Sequence, residues 1–123
     1  MKPKGIVKNS TRVVTVLAHI LGNEQRSSGK IVARETDIPG LVVHRDLDEM
    51  GKPTRERWTI THEASGVAAR TGIVSFHVLR ELLQRIAELD IDWTKPKSEV
   101  ATIETAKLFR EAVESVVGAG RSK

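Results

Sequence analysis

Four histidines are the first residues with site chemistry: His19, His44, His62 and His77. Their separations of 25, 18 and 15 residues match no metal-ligand spacing. His62-Glu63 opens a His-Glu-x-x-His string, but Gly66 occupies the place of the second histidine. His44-Arg45-Asp46-Leu47 matches the start of a protein-kinase catalytic loop. Gly51 stands where that loop needs a metal-binding Asn, and 123 residues leave no room for two lobes. The acids Asp46, Asp48 and Glu49, and the pair Asp90 and Asp92, offer hard oxygen ligands without the spacing of a cation loop. Ser27-x-x-Lys30 lacks the larger scaffold that a serine–lysine pair requires, and Gly118-Ala119-Gly120 precedes no helix that would cradle a phosphate. No acid–base or nucleophile–base pair emerges. The expectation is a non-enzymatic chain with no metal and no cofactor.

Cationic and hydroxyl side chains carry the remaining chemistry. Lys30 and Arg34 share one face of a candidate strand, and Arg57, Thr59 and Thr61 share a face of another. Arg70 and His44 are expected to join one of these faces, and Arg12 belongs to the basic N-terminal third that would add phosphate contacts. A basic, hydroxyl-bearing sheet face suits phosphate contacts without base readout. The expected nucleic-acid-binding residues are therefore Arg12, Lys30, Arg34, His44, Arg57, Thr59, Thr61 and Arg70. Exposed aromatic rings for base stacking are missing, since Trp58 and Trp93 read as core.

The elements that must position these groups follow from periodicity. Residues 12–21 fit both a helical stripe and a β-branched strand, and the Val-Val-Thr-Val run favours the strand. Residues 22–29 read as a polar loop, 30–36 as a half-exposed strand, 37–40 as a turn and 41–46 as a returning strand, with Leu41 and Val43 inward and His44 outward. A second polar loop spans residues 48–55. Arg57 to His62 is the clearest strand, with Trp58, Ile60 and His62 on one face. Ala64-Ser65-Gly66 fits a hairpin loop with Gly66 left-handed, and Val67 to Arg70 is its partner strand. Ser75 caps a helix whose stripe runs Val78, Leu79, Leu82, Leu83, Ile86 and Leu89. A last helix is expected over residues 98–117, with Val100, Ile103, Ala106, Phe109, Val113, Val116 and Val117 as its apolar positions.

The resulting fold class is α+β: an antiparallel β-meander of four to five strands packed on one face by two C-terminal helices. Residues 1–10 read as a flexible basic arm, 11–117 as a single domain and 118–123 as a basic tail. The meander-then-helix order is similar to that of some small single-strand DNA-binding proteins.

Composition bounds the rest. Hydrophobic residues make up 39% and charged residues 29%, an ordinary globular balance. No apolar run is long enough to cross a bilayer, so no membrane partner is expected. Cysteine is absent, which removes disulfide and thiol chemistry and points to the cytoplasm. The net charge of +4 is unevenly spread. Residues 1–34 carry seven Lys or Arg against Glu24 alone, whereas residues 35–50 carry five acids against Arg45. A basic first third attracts nucleic acid or an acidic protein surface. The leading expectation is a small accessory protein that contacts phosphates through a basic sheet face and its N-terminal arm. The alternative is a protein-interaction module or inhibitor, of the kind phages and plasmids use to bind a larger complex. Open sheet edges favour a homo-oligomer, most simply a dimer.

Overall fold

The computed structural model describes residues 3–20, 23–47 and 53–118. Five strands follow in chain order: β1 (Val7–Ile20), β2 (Asn23–Thr36), β3 (Leu41–Leu47), β4 (Pro53–His62) and β5 (Val67–Ile73). Three helices come next: α1 (Phe76–Glu88), α2 (Lys97–Val100) and α3 (Ile103–Val113), with a π-helical turn over Glu114–Gly118. Every strand neighbour is antiparallel and sequential, in the order β1-β2-β3-β4-β5. The architecture is the expected α+β meander with C-terminal helices.

Leu41, Val43, Trp58, Ile60 and Ile73 face the helices and pack on Leu79, Leu82, Leu83 and Ile86. The α1 stripe buries because its apolar residues recur every three or four positions, and the Ser75 side chain accepts from the Val78 amide to start the helix. Gly66 takes φ 72° in the β4–β5 turn, as the left-handed position requires.

The opposite sheet face is not open. β1 and β2 stay paired from Thr11–Arg34 to Ile20–Asn23, while β2 pairs with β3 only at Arg34–Val43 and Glu35–Val42. Freed from β3, the β1–β2 ribbon coils over the sheet, and β1 comes against β5. Val14, Val16 and Ala33 then pack on Val42 and close a second small core.

Four local expectations are corrected. The polar stretch 22–29 reads as a loop by composition, but β2 begins at Asn23, because ladder bonds to the β-branched β1 override weak strand propensity. Pro53 to Arg55 likewise belong to β4 rather than to the second loop, whose residues 48–52 lie outside the described residues. The last helix is broken at Ala101–Thr102. The Thr102 hydroxyl accepts from the Thr105 amide and starts α3 afresh, which turns Ile103 away from the core and leaves it 90% exposed. Residues 3–10 are also not free. The Asp37 carboxylate accepts from the amides of Lys4, Gly5 and Ile6 at 2.8–2.9 Å, Gly5 is buried, and β1 starts at Val7. Of the expected basic tail, residues 119–123 lie outside the described residues.

Candidate nucleic-acid interface

The two basic groups expected to form one surface lie on opposite faces. Arg34 pairs with Val43 in the ladder, and Val43 belongs to the helix-side core, so Arg34 faces the helix side, whereas Lys30 pairs with Thr15 in the part of the ribbon that has left β3 and is exposed on its outer face. Arg57 precedes the core residue Trp58 and faces the other way, together with Thr59 and Thr61. Arg57 is exposed, but Thr59 and Thr61 are covered by the coiled ribbon, at 3% and 1% exposure.

His44, expected to point outward into solvent, is buried beside them at 6%. Its Nδ1–H donates to the Arg45 carbonyl at 2.7 Å, which leaves Nε2 to accept from the Thr61 hydroxyl at 2.7 Å. Asp46 accepts from the Thr59 hydroxyl and from the Gly72 amide at 3.0 Å. Burial holds the His44 imidazole below its ordinary value of 6.5, against the opposing pull of the Arg45 carbonyl and the Asp46 charge. A hydroxyl donating to a neutral imidazole has the geometry of an activated nucleophile. Here both partners are buried, so the pair serves to satisfy polar groups inside the coil.

Arg12 is exposed but occupied. It pairs with Glu63 in the turn after β4 and lies 3.9 Å from Glu35. Arg70 is exposed on β5, a strand at the end of the sheet order.

A different cationic cluster gathers on the helix side. The Trp58 and Phe76 rings meet edge to face at 5.3 Å where α1 begins. The Arg45 guanidinium lies 4.0 Å above Trp58, and the Arg34 guanidinium lies 5.4 Å from Phe76. Arg34 is braced further, donating from Nε to the Lys8 carbonyl at 3.1 Å and from Nη2 to Asn9 Oδ1 at 3.3 Å. Arg80, one helical turn after Phe76, lines the same groove as Arg34, Phe76, Ile6 and Val7. Among the described residues, none of Lys30, Arg34, Arg45 and Arg80 forms an ion pair with a carboxylate.

Of this cluster, the residues expected from the sequence include Arg34 but not Arg45, Phe76 or Arg80. Arg80 read as the solvated face of a helix on a separate layer. The signal was available in two places. Arg45 alternates with Val43, so it must share the helix-facing side, and Arg80 stands four residues after Phe76. Finding their meeting point needed the docking angle of α1, which periodicity does not contain.

Among the described residues no group of three or more His, Asp or Glu could hold a metal, and no helix is long and apolar enough to cross a membrane. No protein-family model matches this chain, and no curated protein or solved structure is significantly similar to it.

Proposed function

We propose that the chain binds nucleic acid through phosphate contacts from Arg34, Arg45 and Arg80. The observation that carries this reading is the set of three guanidinium groups around the Trp58–Phe76 pair, none with a carboxylate partner among the described residues. Arginines held against rings lose less freedom on meeting a phosphate than unsupported side chains do. Trp58 is 9% exposed and each ring already carries a guanidinium, which leaves little surface for base stacking. Binding is therefore sequence-independent and governed by counterion release. Three contacts correspond to a salt slope of about −2.7 on duplex DNA, or about a 40-fold loss of affinity on raising salt fourfold. Electrophoretic mobility with single- and double-stranded DNA at two salt concentrations tests this, and absence of any shift at low salt rejects it.

A protein-interaction role is favoured by one separate observation. Val13 and Val32 are direct ladder partners on the same outer face of the ribbon, and they are 62% and 63% exposed. A paired apolar spot of this kind suits contact with another protein surface or a second copy. Sedimentation of the wild type against Val13→Asp at high micromolar concentration separates self-association from a monomer.

A further inference from the structure

The β1–β2 ladder is irregular beside the arginine cluster. Val7 pairs with Thr36 and Thr11 with Arg34, so four steps along β1 are matched by two along β2. Residues 8–10 bow out of the ladder as a bulge, and a bulge re-aims the groups it carries. Here the Lys8 carbonyl and Asn9 Oδ1 turn toward Arg34, whose Nε and Nη2 donate to them at 3.1 and 3.3 Å. Those bonds use two of the five N–H donors of the guanidinium. Among the described residues nothing accepts from the other three.

The bulge is tied down at its N-terminal end by one side chain. Asp37 directly follows β2. Its Oδ2 accepts from the Lys4 amide at 2.8 Å, and its Oδ1 accepts from the Gly5 and Ile6 amides at 2.9 and 2.8 Å. The Asp37 amide donates in turn to the Ile6 carbonyl at 3.0 Å. Gly5 has φ +81°, and a Cβ there would stand 2.5 Å from the backbone of Leu83 and Gln84, so the segment lies directly against α1. Ile6 and Val7 then line the groove of Arg34, Phe76 and Arg80. Residues 4–9 thus form a strap that joins β2, α1 and the Arg34 guanidinium. Lys4, Ile6, Lys8 and Asn9 are exposed, so hydrogen bonds to Asp37 rather than burial hold most of it.

We propose that Asp37 is a positioning residue for the phosphate site: by latching the strap, it holds Arg34 beside Phe76 and Arg80 before any nucleic acid arrives. The proposal rests on the nucleic-acid reading above for its ligand. The sign of the effect separates positioning from charge. Asp37 is a carboxylate three residues from Arg34, so by charge alone its removal favours an anion. By positioning, its removal releases Arg34, which must then be ordered on binding, and affinity falls about three- to tenfold. The charge of Arg34 remains, so the salt slope is kept.

The test has two readouts on the full chain: fluorescence anisotropy of a short labelled DNA duplex at two salt concentrations, and, without DNA, hydrogen exchange at the Arg34 Nε–H resonance. Asp37→Ala is expected to weaken duplex binding about three- to tenfold with the slope kept, and to speed exchange at Arg34 Nε–H. Asp37→Asn loses the same charge but keeps an oxygen for the Gly5 and Ile6 amides, and is expected to bind no more weakly than wild type. Gly5→Ala pushes the strap off α1 with no change of charge. It should reproduce the Asp37→Ala loss, and it serves if Asp37→Ala does not fold. Equal or tighter binding by Asp37→Ala and Gly5→Ala overturns the proposal. So does wild-type exchange at Arg34 Nε–H in both variants. A wild type that binds no duplex at low salt rejects the nucleic-acid reading itself, and the exchange rates, which need no DNA, still decide whether the latch holds Arg34.

Discussion

Thr61→Val is the most informative single change inside the coiled sheet. Valine keeps the shape of threonine and deletes only the hydroxyl that donates to His44 Nε2 at 2.7 Å. Thr61 is 1% and His44 6% exposed, so water does not replace the lost donor, and Nε2 is left as a buried acceptor without a partner. The cost is about 1–3 kcal/mol. At about 2 cal/mol/K of unfolding entropy per residue, this lowers Tm by about 4–12 °C for a chain of this length. Removing both polar groups in His44→Leu/Thr61→Val leaves no orphan, so the double variant should be more stable than the sum of the single losses predicts. Thermal and urea unfolding of the four proteins measure the cycle. The same residue sets an acid dependence. The unfolded chain protonates His44 near 6.5, and the folded chain only at lower pH, because burial disfavours the charged ring. Its contribution to stability is complete above 6.5 and is lost as pH falls from 6.5 through the folded value, with a slope of at most about 1.4 kcal/mol per pH unit. His44→Leu should lack this component. A Thr61→Val protein within 0.5 kcal/mol of wild type, or identical acid slopes for wild type and His44→Leu, would refute the reasoning (the threshold is about the error of such measurements).

Three further changes test other parts of the fold. Asp37→Ala removes the acceptor for three amides and should cost about 1–3 kcal/mol, with faster hydrogen exchange at Gly5 and Ile6. Gly40→Ala would place a methyl 2.3 Å from the Trp93 carbonyl at a φ of +93°, so a loss above about 2 kcal/mol is expected in urea unfolding. Thr102→Ala removes the cap of α3 and should lower stability by about 1 kcal/mol, read as a shift in urea midpoint without a change in m.

The strand order was legible because the chain alternates cleanly where one face is buried. Trp58, Ile60 and His62 fall on one side in both the sequence and the structure, and Ser75 caps α1 where the apolar stripe begins. The coil of the sheet was not legible. A pattern of period two says which residues share a face, and nothing in it says that a neighbouring ribbon will fold back over Thr59 and Thr61. The site expectation failed at that point, because it treated the face opposite the helices as open. The break before α3 was hidden for a different reason. Thr102 lies inside the unbroken apolar stripe from Val100 to Val117, and only its local hydrogen bond to the Thr105 amide decides that it caps rather than continues. Alternation alone put Arg34 on an exposed strand face, while its meeting with Arg80 required the packing of α1 beside the Trp58–Phe76 pair.

The central claim is that the helix-side arginines, and not the Arg57 face, meet nucleic acid. It is tested most directly by the salt dependence of duplex DNA binding for wild type, Arg80→Gln and Arg57→Gln, measured by fluorescence anisotropy. Both side chains are exposed, and among the described residues neither forms an ion pair, so both variants should fold. Arg80→Gln is predicted to reduce the magnitude of the salt slope by about 0.9, and Arg57→Gln to leave it unchanged. Loss of slope in Arg57→Gln with none in Arg80→Gln, or no binding by the wild type at low salt, would contradict the account.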